Sequence, residues 1–161
     1  MSETKALQVV EFDSSHVNDV LSLARQVLCD ELRTHHDLAG EDDLQAIEAS
    51  YPSPDSRFVV ALSRGHVVGT GAIRRISDTD CELTRLYVQE DHRREGIASC
   101  IASELFKFVQ QRGYRRVFLE IRPEMEQATR VIARYGFGDV TEAEDLPRPA
   151  KFMAIYFPDG A

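Results

Sequence analysis

The chain has 161 residues, 43% hydrophobic and 29% charged, with 6 prolines and a formal net charge of -8. That length closes one core without calling for a second domain, and the balance excludes a disordered chain. No run approaches the roughly 18 apolar residues of a membrane span, and the opening MSETKALQ lacks the basic start and apolar run of a signal peptide, so no membrane contact and a cytoplasmic location are expected.

Cys29, Cys81 and Cys100 form no CxxC pair and leave an odd one in any scheme, which argues against a disulfide framework or a zinc site. His35, His36 and Asp37 are neighbours in sequence and point to different sides of a helix, so no metal is expected there. The acidity is uneven: residues 1–57 hold 12 acids against 4 bases, and residues 58–161 hold 15 of each sign. Such a field repels nucleic-acid phosphates and attracts cations, while a solvated acidic face that aids solubility accounts for the same residues.

LQVVEF (7–12) alternates like a first strand, and Asp13, Ser14 and Ser15 offer an N-cap. A helix over 15–34 follows, with Val17, Val20, Leu21, Ala24, Val27, Leu28 and Leu32 at helical spacing. A shorter helix over 41–50 is ended by Tyr51-Pro-Ser-Pro-Asp55. FVVALSRGHVVGTGAIRRI and CELTRLYV read as three antiparallel strands joined by hairpins at Arg64-Gly65-His66 and Asp78-Thr79-Asp80. A helix runs from Gly96 to Gln111, with Arg112-Gly113 as its basic last turn and stop. RVFLEI (116–121) is a buried-type strand. A helix over 124–135 ends at Gly136, and strands over 137–141 and 151–157 close the chain. The order βααβββαβαββ predicts an α/β (α+β) fold with a mixed, mostly antiparallel central sheet flanked by helices and a helical crossover between the fourth and fifth strands.

HRREGIAS (92–99) places basic side chains just ahead of Gly96 and an apolar helix. A strand, a basic loop, a glycine and a helix start converge unpaired N–H groups and a positive helix end on an anion, and phosphate is the natural guest. Gly96 allows close backbone approach, Ala98 keeps the first turn open, and Arg93 and Arg94 can neutralise a pyrophosphate. A helix start with an ordinary solvated basic face explains the same residues. There is no GxxxxGK[ST], and no GxGxxG with an acid about 20 residues on.

The residues Arg93, Arg94, Glu95, Gly96, Ile97 and Ala98 spell RxxGxA, preceded by LYV and followed some 40 residues later by Tyr135-Gly136-Phe137. Here the chain resembles the GCN5-related N-acetyltransferase (GNAT) family, whose R/Q-x-x-G-x-G/A turn binds the pyrophosphate of acetyl-CoA. The likeness covers about residues 57–157 in element order. It implies one domain over 1–161, with 1–57 as a variable substrate-side region and 58–161 as the acetyl-CoA-binding core. It further implies pyrophosphate contacts from Arg93, Arg94, Glu95, Gly96, Ile97, Ala98 and Ser99, and backbone pairing of the pantetheine arm with Leu86, Tyr87 and Val88. Strand N–H groups near Val88 would stabilise the oxyanion. Glu82 lies where several members place a general base, and its neighbours Cys81 and Leu83 suggest apolar surroundings suited to taking a proton. An ion pair of Glu82 with Arg74 or Arg85 is the competing reading.

The family's Asn-x-x-Ala-x-x-x-Tyr-x-x-x-Gly-Phe helix is met here by Met125, Ala128, Ile132, Gly136 and Phe137. Ala128 and Gly-Phe match, Met125 replaces the Asn, and Ile132 replaces the tyrosine credited with protonating the leaving thiolate. Tyr135, three residues on, reaches that spot as a catalytic acid only if the helix shifts; otherwise it is a packing residue. The reading that follows is an acetyl-CoA-dependent N-acetyltransferase acting by direct attack of a primary amine, a small molecule or a peptide, with cationic acceptors favoured by the acidic first third. A homodimer is left open. An acyl-CoA-sensing regulatory domain that binds a partner protein without turnover is the alternative, and a plain interaction domain with a vestigial cofactor site is a third.

Overall fold

The computed structural model of the protein describes residues 7–31, 33, 36–122, 126–140 and 146–157. LQVVEF yields β1 (Gln8–Glu11). Asp13 then caps a 3-10 turn, accepting from the Ser15 N–H at 2.8 Å while its own N–H donates to His16 Nδ1 at 3.1 Å. The helix expected over 15–34 is divided: α1 (Val17–Arg25) passes into a π-helical turn, Gln26–Glu31. Leu32, Thr34 and His35 lie outside the described residues. The apolar stripe is retained, with Val20, Leu23, Ala24, Val27 and Leu28 buried.

The single helix expected over 41–50 is two separate turns, α2 (Asp42–Gln45) and α3 (Ile47–Ser50), broken at Ala46 with φ -149° and ψ 65°. The Tyr51 hydroxyl donates to Asp43 Oδ2 at 2.6 Å and Arg85 Nε to the same oxygen at 2.8 Å, tertiary bonds that local helix propensity does not encode.

The meander β2 (Arg57–Ser63), β3 (His66–Arg75) and β4 (Asp80–Val88) forms as expected. From Gly96 the chain enters α4 (Ile97–Arg112), which Gly113 stops at φ 91°, and crosses to β5 (Arg116–Glu120). After α5 (Glu126–Ala133) come β6 (Gly138–Asp139) and β7 (Phe152–Tyr156), both shorter than the sequence suggests. Glu124, Met125 and Thr141 lie outside the described residues.

The sheet order is β1-β2-β3-β4-β5-β7-β6. All pairs are antiparallel except β4–β5, the parallel pair that the α4 crossover requires. One face buries Ile73, Cys81, Leu83 and Leu86 against Ile101, Leu105 and Val109 of α4 and Ile132 of α5. The other buries Phe58, Val60, Ala72 and Tyr87 against α1, α2 and α3. Each of the fully buried Ile101, Leu105 and Val109 contributes about 1.5–3 kcal/mol. The α4 helix lies so close that a Cβ on Gly71 would stand 2.5 Å from Ile101 Cγ2.

Candidate active site

Two features of β4 create a cleft. First, β4 and β5 pair only from Asp80↔Arg116 to Leu83↔Leu119, so from Thr84 to Val88 the β4 edge opposite β3 continues with no strand paired to it among the described residues. Second, Thr70 pairs with Tyr87 and Ala72 with Thr84, which sets Arg85 and Leu86 together against Gly71. This bulge puts Arg85 at φ 54°, and Thr70 Oγ1 donates to the Arg85 carbonyl at 2.8 Å. The opening where the strands part is a cleft of about 160 Å³.

Its lining carries four carboxylates, Glu41, Asp43, Glu82 and Glu120, and four guanidiniums, Arg74, Arg85, Arg122 and Arg148. Glu82 is 2% exposed. Arg148 grips it with both terminal nitrogens, and Arg74 Nη2 reaches Oε1 at 3.3 Å. Arg148 also bonds Glu120, which Arg122 Nε approaches at 3.5 Å. Hydrogen bonds to Glu82 raise the Arg148 pKa well above its ordinary value, against the opposing pull of burial. The apolar surroundings suggested by Cys81 and Leu83 are therefore not what Glu82 meets. Strand alternation turns those two into the α4-side core and Glu82 to the opposite face, among arginines.

Arg85, offered as a Glu82 partner from sequence, goes elsewhere. The bulge directs it to Glu41 at 2.7 Å, to Asp43, and through Nη1 to the Tyr87 hydroxyl at 2.8 Å. Burial works to raise the Asp43 carboxyl, but the Arg85 and Tyr51 hydrogen bonds outweigh it and hold the group below the usual carboxylate range. Burial likewise pushes the Tyr87 phenol up, against the opposing Arg85 charge. Glu41 and Asp43, counted in the sequence as part of an acidic field, are thus engaged in this network, whereas Asp42 is exposed.

The glycine turn stands at the far end of the open edge. Gly96 is the N-cap of α4 at φ 79°, with no side-chain cap. The Cys100 N–H donates to the Gly96 carbonyl at 3.0 Å, which makes Ile97, Ala98 and Ser99 the N–H groups that precede the helical ladder. Nothing lies within 4 Å of where a Gly96 Cβ would be. The turn is thus open to a ligand backed by the positive end of a 16-residue helix. Its arginines differ: Arg94, at φ 68°, is exposed, while Arg93 donates from Nε to the Val88 carbonyl at 3.0 Å and from Nη2 to Glu31 at 2.7 Å. Glu95 Oε1 lies 3.2 Å from His92 Nδ1. Along the edge, Leu86 and Tyr87 are buried on opposite faces and Val88 is half-buried.

Ile132 is fully buried. Tyr135 is 38% exposed and does not line the cleft; its ring lies 5.2 Å from Phe106, and its hydroxyl donates to the Ser99 carbonyl at 3.3 Å. Sequence reasoning missed Arg148, Glu120, Arg122 and Tyr51. Arg148 sits 66 positions from Glu82, in a segment whose only local signal is its flanking prolines.

The family model described as "Acetyltransferase (GNAT) family" matches residues 24–137. Among curated relatives, N-acetylaspartate synthetase of Danio rerio is 34% identical over 115 residues, 70% of this chain and 41% of that protein. Probable N-acetyltransferase family 8 member 5 of Mus musculus is 30% identical over 125 residues, 73% and 55% respectively. The chain spans about half the length of these curated relatives. Solved structures share the fold. An acetyltransferase from Streptococcus agalactiae 2603 gives a TM-score of 0.85 at 19% identity, covering 96% of this chain and 100% of that one. The PaiA N-acetyltransferase from Thermoplasma acidophilum, in complex with coenzyme A, gives 0.77 at 15%, covering 95% and 100%.

Proposed function

This chain belongs to the GNAT acetyltransferase family, and from that premise we propose that it transfers an acetyl group from acetyl-CoA to a primary amine by direct attack. The observation that carries this reading is the unpaired β4 edge running from the cleft toward the open, left-handed Gly96 turn at the head of α4.

Acetyl-CoA supplies the acyl group as a thioester, already activated toward amines. In this reading the N–H groups of Ile97, Ala98 and Ser99 hold the pyrophosphate, with Arg93, Arg94 and the Glu95–Gly96 turn around it. Backbone groups of Leu86, Tyr87 and Val88 hold the pantetheine arm. The amine enters the cleft beside Glu41 and Asp43, which orient it. Glu82, one residue before the last β4–β5 pair, takes the ammonium proton, through water because its carboxylate is enclosed. A second role is favoured by the two-point bond from Arg148: Glu82 holds that arginine in place and moves no proton. No side chain is assigned as proton donor to the leaving thiol, whose pKa of about 8.5 lets water serve. Tyr135 is assigned to bracing α5 on the first turn of α4.

The test combines titration calorimetry of acetyl-CoA with thiol release across a panel of primary amines. Binding with amine-dependent release is expected. Binding without release on any amine would move the protein to the acyl-CoA-sensing alternative, and no binding would remove the reading.

A further inference from the structure

The charges of the cleft are sorted by wall. On one side of the cleft, where β3, the first half of β4, the end of β5 with Arg122 just beyond it, and residues 146–150 meet, three guanidiniums, Arg74, Arg122 and Arg148, share two carboxylates, Glu82 and Glu120. On the α2 wall the ratio reverses, and Glu41 and Asp43 share Arg85. One wall carries an excess of positive charge and the other an excess of negative charge.

The positive excess faces outward. Glu82 is enclosed, yet the Arg74, Arg122 and Arg148 side chains keep 37%, 44% and 40% of their exposure. Arg122 is engaged through Nε at 3.5 Å, so its planar fork keeps terminal N–H donors in position for a ligand. Forked guanidiniums match a carboxylate with two parallel bonds, which an ammonium cannot reproduce.

We infer that the acceptor is an amine that also carries a carboxylate, an α-amino acid in the simplest case, with the carboxylate held by the terminal N–H groups of Arg122, the charge of Arg148 beside it, and the ammonium turned toward Glu41 and Asp43. This rests on the N-acetyltransferase reading and narrows its acceptor. A diamine or polyamine presents only positive charge to the arginine wall and is repelled there. Of the 12 acids of residues 1–57, Glu41 and Asp43 are the two that line the cleft, where they share Arg85.

The experiment compares L-alanine with L-alaninamide, L-glutamate with L-glutamine, and 1,4-diaminobutane, by thiol release at fixed acetyl-CoA. Alanine is expected to exceed alaninamide in kcat/KM by about tenfold to a hundredfold, mostly through KM, with glutamate well accepted and the diamine poorest. Arg148→Gln should bring the alanine-to-alaninamide ratio toward one. Because Arg148 also holds Glu82, Arg122→Gln, at an exposed position with one weak contact, is the second variant and should lower the same ratio. Equal kcat/KM for acid and amide in the wild type, or a preference for the diamine, overturns the inference while leaving N-acetyl transfer standing. So does an Arg122→Gln protein that loses activity equally on both. If no amine releases thiol, N-acetyl transfer itself falls, and calorimetry on the coenzyme A-saturated protein decides the inference: tighter binding of alanine than of alaninamide supports it, and equal or absent binding overturns it.

Discussion

Arg148 spans the carboxylate of Glu82, Nη1 to Oε1 at 3.0 Å and Nη2 to Oε2 at 2.7 Å, and so ties the loop before β7 to the middle of β4. The bond gives Glu82 two separable properties, a lone pair for a proton and a grip on an arginine. Glu82→Gln keeps volume and one acceptor for Arg148 but cannot hold the proton. If Glu82 is the base, kcat falls by about 10²- to 10⁴-fold while coenzyme A affinity stays near wild type. Arg148→Ala instead strips a buried carboxylate of its main partner and leaves Arg74, at a cost of about 1–3 kcal/mol in stability. Denaturant melts and steady-state kinetics on both variants separate the two properties. A Glu82→Gln enzyme with wild-type kcat across pH 6 to about 9 would leave Glu82 only its grip on Arg148.

Gly96 is constrained by conformation rather than by crowding, since its φ is 79° and no atom stands near its missing Cβ. Gly96→Ala is expected to cost about 1–2 kcal/mol from the left-handed backbone alone, with acetyl-CoA binding retained. Gly96→Glu adds a carboxylate to the proposed anion turn and should lose acetyl-CoA binding beyond that cost. Calorimetric dissociation constants for the two folded variants check this, and equal affinities for both would remove the turn from the pyrophosphate site.

Gly71 presents the opposite case. A Cβ there would meet Ile101 Cγ2 at 2.5 Å and Leu105 Cδ1 at 3.1 Å, both inside the packed core. Gly71→Ala should push α4 off β3 and destabilise by about 1–3 kcal/mol. Gly138→Ala, where nothing lies within 4 Å, should change stability by less than about 0.5 kcal/mol. Urea midpoints decide it, and similar shifts for the two would contradict the close approach of helix and sheet.

Asp43 supplies a pH signature. Its folded pKa is lowered, so its bonds to Arg85 and Tyr51 stabilise above the unfolded value of about 3.9 and are lost as pH falls through the lower folded value. The melting temperature should fall on acidification below about pH 4. Asp43→Asn should melt lower at neutral pH and lose less on acidification. At the alkaline end the sign reverses: burial pushes the Tyr114 phenol up to about 12 and raises Tyr87 too. Stability from these phenols is full below the unfolded value of about 10 and is lost as pH rises through the folded ones. Thermal melts of wild type and Asp43→Asn across pH 3 to about 11 test both limbs.

Short-range information was enough for the sheet meander, the α4 crossover and the glycine turn. β-branched alternation, an Arg-Gly hairpin and a glycine before an apolar helix each act over a few residues, and Gly96 stands at the head of α4, separated from the end of β4 by a 3-10 turn at Glu90–His92. The same local logic failed at residues 41–50, where the helical pattern is interrupted as Asp43 bonds Tyr51 and Arg85. The charge of the cleft was beyond local reading altogether. Composition located acidity in the first third, but which carboxylates face the cleft, and which arginines meet them, depends on strand parity at Glu82, on the bulge that redirects Arg85, and on a loop that returns Arg148 to β4 from 66 residues away. Ion pairs carry no sequence period, and a one-residue slip in a strand exchanges its faces, so only the folded register decides whether Glu82 sits against Leu105 or against Arg148.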